Sequence, residues 1–115
     1  MKDSVIHKKS YAFALRIIRL YSFLIDQKEY ILSKQLLRSW TAIGAMVREA
    51  EFWQSRADFV HKLSIALKEA NETEYWISLL YDSWLLQKDA FESIHTDAVE
   101  LIKMLASSVK TTKNT

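Results

Sequence analysis

Leu32, Leu36, Trp40, Ile43, Val47 and Ala50 recur at spacings of three and four. That period sets one apolar stripe along one side of an α-helix, and it predicts a helix over residues 31–53. The same spacing joins Phe59, Leu63, Ala66, Leu67, Ala70, Ile77 and Leu80, predicting a helix over 56–81. It also joins Phe91, Ile94, Ala98, Ile102 and Leu105, predicting a helix over 87–109. Ser55, followed three residues later by Asp58, has the capping-box spacing with Asp in place of Glu or Gln, so Ser55 is the expected N-cap of the third helix. A break is expected at Asp82, Ser83 and Trp84, and residues 110–115 are expected to fray.

The first helix, predicted over residues 4–26, has a different pattern. Between Tyr11 and Ile25 the strongly polar side chains are Arg16 and Arg19, with Ser22 continuing their spacing. An ordinary surface helix carries a wider polar face, so this one is expected to be covered on two sides. The third helix has a second face, Ile65, Glu69, Glu72 and Trp76, in which two acids sit between large apolar groups. Gly44, beside Ala42 and Ala45, fits either a close helix approach or a run of tolerated small residues. Four helices with short links give an all-α, antiparallel, up-down-up-down four-helix bundle, a single domain over residues 1–115.

Composition agrees with long helices. Proline is absent and there is one glycine, the residues that tight turns need most. No cysteine is present, which excludes disulfides and thiolate metal sites. Four Trp, five Tyr and five Phe are a heavy aromatic load, each able to bury ~150–250 Å². No apolar run approaches the roughly 20 residues of a spanning helix, and the N-terminus lacks a signal-peptide pattern. The expectation is a cytoplasmic protein with no membrane association. The net charge of +2 hides an uneven distribution. Residues 1–48 carry nine Lys/Arg against three Asp/Glu, residues 49–100 four against eleven, and residues 101–115 three against none. Such blocks can meet within a protomer, meet between protomers, or leave a basic surface for an anionic partner.

Little in the chain points to catalysis. Di-metal carboxylate bundles need Glu-x-x-His on two helices and a Glu on each of the other two. Glu92 with His95 fits, Asp58 with His61 fits loosely, and Glu49 lies on the second helix. His61 is out of phase with Phe59 and Leu63, Asp58 is spent as a cap, and the first helix has no Glu. The histidines are therefore expected at the surface, with no metal and no cofactor. Gly-rich phosphate loops and nucleophile elbows are absent, so no enzymatic activity is expected. Glu69 and Glu72, one turn apart, are expected to form ion pairs with Arg38 or Arg48. Lys8, Lys9, Arg16, Arg19, Lys34 and Arg38 lie in the basic block and are candidate phosphate contacts. The apolar faces of helices 1 and 3 point to self-association, with Leu20, Ile65 and Trp76 as candidate interface residues.

Two segments carry a family resemblance: residues 33–50, SKQLLRSWTAIGAMVREA, and residues 58–76, DFVHKLSIALKEANETEYW. With the ending at residues 101–105, LIKML, they make the chain resemble the four-helix-bundle proteins encoded by intervening sequences within 23S ribosomal RNA genes. The accessory variability proteins of diversity-generating retroelements are similar to that family. The resemblance implies a homopentameric barrel with a basic surface and no enzymatic activity. In the retroelement branch it implies binding of RNA or DNA and of a reverse transcriptase. Trp40 stands where the family often has a small residue, Met46-Val-Arg-Glu49 where it often has Asn-x-Ala-Glu, and Ser83 near a common glycine. The expected function is a homo-oligomeric nucleic-acid-binding module; the alternative is a protein–protein interaction scaffold with no nucleic-acid role.

Overall fold

The computed structural model describes residues 5–114. The expected helix start at Ser4 lies outside the described residues. Four helices follow in order: α1 Val5–Asp26, α2 Leu32–Ala50, α3 Arg56–Asp82 and α4 Lys88–Lys113. Each packs against its neighbours in sequence, and α1 closes the ring against α4. The result is the up-down-up-down bundle, 45 × 20 × 19 Å. The α1–α4 seam is the loosest of the four.

The core follows the apolar stripes. Leu36, Ile43, Leu63, Ile77, Leu80 and Leu105 are fully enclosed, with Ile17 and Leu24 from α1. Trp40 is buried and meets the Phe13 ring edge-on at 4.7 Å. Thr73 fills the gap between Ala70 and Ile77, and its hydroxyl donates to the Glu69 carbonyl at 2.9 Å. Gly44 makes no close helix approach. A Cβ built there would meet nothing within 4 Å, so the residue is a tolerated small one.

Two helix ends differ from expectation. α2 stops at Ala50 rather than at 53, because Phe52 and Trp53, although apolar, face solvent in the link to α3. α4 runs on to Lys113 instead of fraying after 109. Val109 is buried against the core, and Lys110 and Lys113 suit the negative end of the helix dipole.

The turns use unexpected residues. α1 and α3 both end in the Schellman arrangement, in which the residue after the cap adopts a left-handed backbone. In α1, Lys28 (φ 63°) takes that place, Glu29 N–H donates to the Leu24 carbonyl and Lys28 N–H to that of Ile25, both at 2.9 Å. In α3, Trp84 (φ 68°) takes it, with Leu85 N–H donating to Leu80 and Trp84 N–H to Tyr81. The position at which glycine would relieve strain is therefore 84. Ser83 has φ −95° and needs none.

The start of α2 is capped from upstream. The Glu29 carboxylate accepts the backbone N–H groups of Ile31, Leu32 and Ser33 at 3.1, 3.0 and 2.7 Å, and the Ser33 hydroxyl returns a bond to the Glu29 carbonyl. Burial opposes the ionisation of Glu29, but these bonds outweigh it and hold its carboxyl below its ordinary range. Ser55 caps α3 as expected, accepting from Asp58 N–H at 3.1 Å.

Candidate nucleic-acid and assembly surfaces

The basic and acidic blocks meet in part inside the protomer. Lys9 of α1 binds Glu100 of α4, which raises the Lys9 ammonium above its usual range. Further along the same seam, Arg16 donates to Asp97 and to the Ser93 hydroxyl at 2.9 Å. Between α2 and α3, Arg38 donates to Glu72 at 2.7 Å and to Glu69 at 3.4 Å. The bond to Glu72, more than offsetting desolvation, raises the Arg38 guanidinium further. Lys62 binds Glu49 at 2.8 Å across the same pair of helices. Exposed pairs of this kind contribute little stability individually. Here they tie α1 to α4 and α2 to α3.

These pairs divide the candidate residues. Lys9, Arg16 and Arg38 each hold an acid of the same chain. Lys8, Arg19 and Lys34 are exposed, and among the described residues none of the three has an acidic partner. Lys8 and Arg19 lie eleven residues apart, about three helical turns, so they share the outer face of α1. The expected pairing of Glu69 and Glu72 with Arg38 is present, but Arg48 takes no part in it. Arg48 is exposed and binds neither acid. It sits ten residues nearer the α2–α3 link, level with the start of α3 rather than with its middle.

The assembly candidates also change. Leu20 is 9% exposed and belongs to the core, so it is not available to a second chain. Ile65 and Trp76 are half-buried within the protomer, Trp76 packs against the core, and its indole N–H is enclosed without a hydrogen-bond partner. The open apolar face is on α1 instead. Tyr11 (65%), Leu15 (43%) and Ile18 (51%) are exposed at spacings of four and three. Residue types alone do not identify them. The signal is that α1 is apolar around nearly its whole circumference, while one bundle covers only the side bearing Phe13, Ile17, Leu20 and Leu24.

His95 is not the surface residue expected. It is half-buried, binds Glu74 of α3 at 2.8 Å and stacks on Phe91 at 4.9 Å. The Ser78 hydroxyl donates to the same Glu74 oxygen at 2.7 Å. That bond, with the one from His95, overcomes burial and holds the Glu74 carboxyl low. Glu92 turns to Lys88, and His61 is exposed. Among the described residues no three His, Asp or Glu side chains converge on a point that would hold a metal ion, and no helix is long and apolar enough to cross a membrane.

Comparison with known proteins agrees with this architecture. A crystal structure of a protein of unknown function from the S23 ribosomal protein family of Bacteroides thetaiotaomicron VPI-5482 superposes with a TM-score of 0.90 at 55% identity, over 92% of this chain and 99% of that one. No curated protein sequence matches the chain. The model of the 23S rRNA-intervening sequence protein family matches residues 2–107, nearly the whole bundle, and the chain belongs to that family.

Proposed function

We propose that this chain is a non-enzymatic, homo-oligomeric module that binds nucleic acid through its basic surface. The observation that carries the reading is the outer face of α1. There Tyr11, Leu15 and Ile18 form an apolar stripe with no cover in one chain, and Lys8 and Arg19 flank it without acidic partners among the described residues. Apolar faces of this kind are characteristic of interfaces, and a second copy of the same chain is the commonest cover. Family kinship supports a count of five. Lys8, Arg19 and Lys34 are the phosphate contacts this reading favours within the first two helices, ahead of the cations already holding acids.

Light scattering at micromolar concentration tests the assembly, and a salt series with structured RNA and duplex DNA tests the ligand. A multimer that Leu15→Asp dissociates, and binding that weakens steeply with salt, are the expected results. A monomer mass for the native chain would overturn the first half. Binding absent at low salt, or indifferent to salt, would overturn the second.

A further inference from the structure

The two ends of the bundle differ in a way that bears on the ligand. At one end lie the α2–α3 link, residues 51–55, and the last turn of α4. Phe52 and Trp53 are exposed there, 72% and 50%. Trp53, Arg56, Phe59 and Thr112 line an open niche of about 240 Å³. Arg48, four residues before Phe52, and Arg56, three after Trp53, bracket the two rings in sequence. The acids nearby are each occupied. Glu49 holds Lys62, Glu51 holds His7, and Asp58 accepts the Gln54 N–H. None of these acids pairs with Arg48 or Arg56, which are exposed, like Lys110 and Lys113 at the end of α4, with no acidic partner among the described residues.

The opposite end also has aromatic rings and a larger niche, about 680 Å³, lined by Phe23, Tyr81 and Trp84. Its charge is the wrong sign for a polyanion. Asp82 lines it, Asp26 and Asp89 stand in the adjoining helix ends, and Lys88 leans toward Glu92 at 3.8 Å. Charge therefore selects between two apolar ends.

We propose that the α2–α3 end binds an unpaired, single-stranded stretch of nucleic acid, with bases stacking on Phe52 and Trp53 and phosphates held by Arg48 and Arg56. Exposed rings flanked by cations are what a single strand requires, since its bases offer free π-faces while its backbone carries the charge. A duplex keeps its bases stacked and gives such rings nothing to cover. Neither the rings nor the cations read a 2′-hydroxyl, so RNA and DNA strands bind alike here. The inference rests on the nucleic-acid half of the proposed function and gives it a site and a preferred strandedness. It does not depend on the number of copies.

The test is fluorescence anisotropy with labelled oligouridylate, oligothymidylate and a blunt duplex of matched length, on the full chain. The native chain should bind both single strands more tightly than the duplex. Trp53→Ala should weaken single-strand binding roughly tenfold, the scale of one lost base stack, while Trp53→Phe should retain it. Arg56→Gln, a change at an exposed site, should lower the salt slope by about one, and it carries the test if Trp53→Ala fails to fold. Trp84→Ala, at the other end, should bind as the native chain does. Native binding with every α2–α3 variant unchanged would overturn this site and leave the broader reading standing. Equal affinity for duplex and single strand would overturn the strandedness. No binding by the native chain would remove both.

Discussion

Replacing Trp84 tests whether the α3–α4 turn holds a residue in a conformation that its side chain resists. Trp84 has φ 68° and is 94% exposed. A side chain in the left-handed region costs roughly 1–2 kcal/mol, a penalty that glycine escapes. The ring returns little. With about 6% of its surface covered, it buries on the order of 15 Å², about 0.4 kcal/mol at ~25 cal/mol per Å². Alanine and glycine both forfeit that small term, so comparing them isolates the backbone. Glycine gives back ~0.5–1 kcal/mol through the entropy of the unfolded chain. The balance leaves Trp84→Gly more stable than Trp84→Ala by roughly 0.5–1 kcal/mol. In a helix interior the order is reversed, with glycine worse by ~1 kcal/mol. Urea denaturation at one fixed protein concentration reads the difference, because the proposed self-association would make apparent stability concentration-dependent. Ser83, at φ −95° and with its hydroxyl bonded to the Leu79 carbonyl, is the control, and Ser83→Gly should destabilise. An alanine variant at 84 as stable as the glycine variant would refute the reasoning.

Other expectations follow from the same packing. Glu29→Gln should cost about 1 kcal/mol at neutral pH, as the loss of a helix cap does, read by the urea midpoint. The Glu29 and Glu74 carboxyls lie below their ordinary value of 4.5 when folded, so their contribution is complete above that pH and is lost as pH falls through the folded values. Acid titration of Glu29→Gln should accordingly show a shallower loss than the native chain, and an unchanged acid slope would count against the cap. Gly44→Ala should stabilise by about 1 kcal/mol with no change in assembled mass, since its Cβ meets nothing; loss of assembly would reveal a second copy packed on that point. Leu105→Ala, at a fully enclosed site, should cost about 2–5 kcal/mol by thermal unfolding.

The bundle was legible because each helix places one stripe inward at helical spacing. Sequence pattern and structure differ where a residue's polarity and its burial part company. Phe52 and Trp53 are apolar but lie in solvent beyond the end of α2. Thr111, Thr112 and Lys113 read as a polar tail, although Val109 anchors the last turns of α4. Glu29 has no N-cap signature in the sequence, because its carboxylate reaches forward to three backbone N–H groups from outside the helix. The pairing of Arg38 was readable and the place of Arg48 was computable. An antiparallel pair that sets residue 38 beside 69 and 72 sets residue 49 beside 62, and leaves 48 far from those acids. Leu20 reads as an interface residue in the sequence but lies in the core, because a nearly all-apolar helix does not declare from sequence which side faces its own bundle.

The loose α1–α4 seam determines how this molecule opens. It alone joins residues about eighty to ninety apart, through Arg16–Asp97 and Lys9–Glu100, whereas the other three seams join helices adjacent in the chain. Chain-closure entropy is therefore concentrated in one place. α1 should detach as a unit while α2, α3 and α4 stay packed, so amide exchange should be fastest along α1. A helix that leaves without unfolding its neighbours can also dock into the vacancy of another copy. The same seam that closes the bundle thus sets its hazard, exchange of α1 between chains.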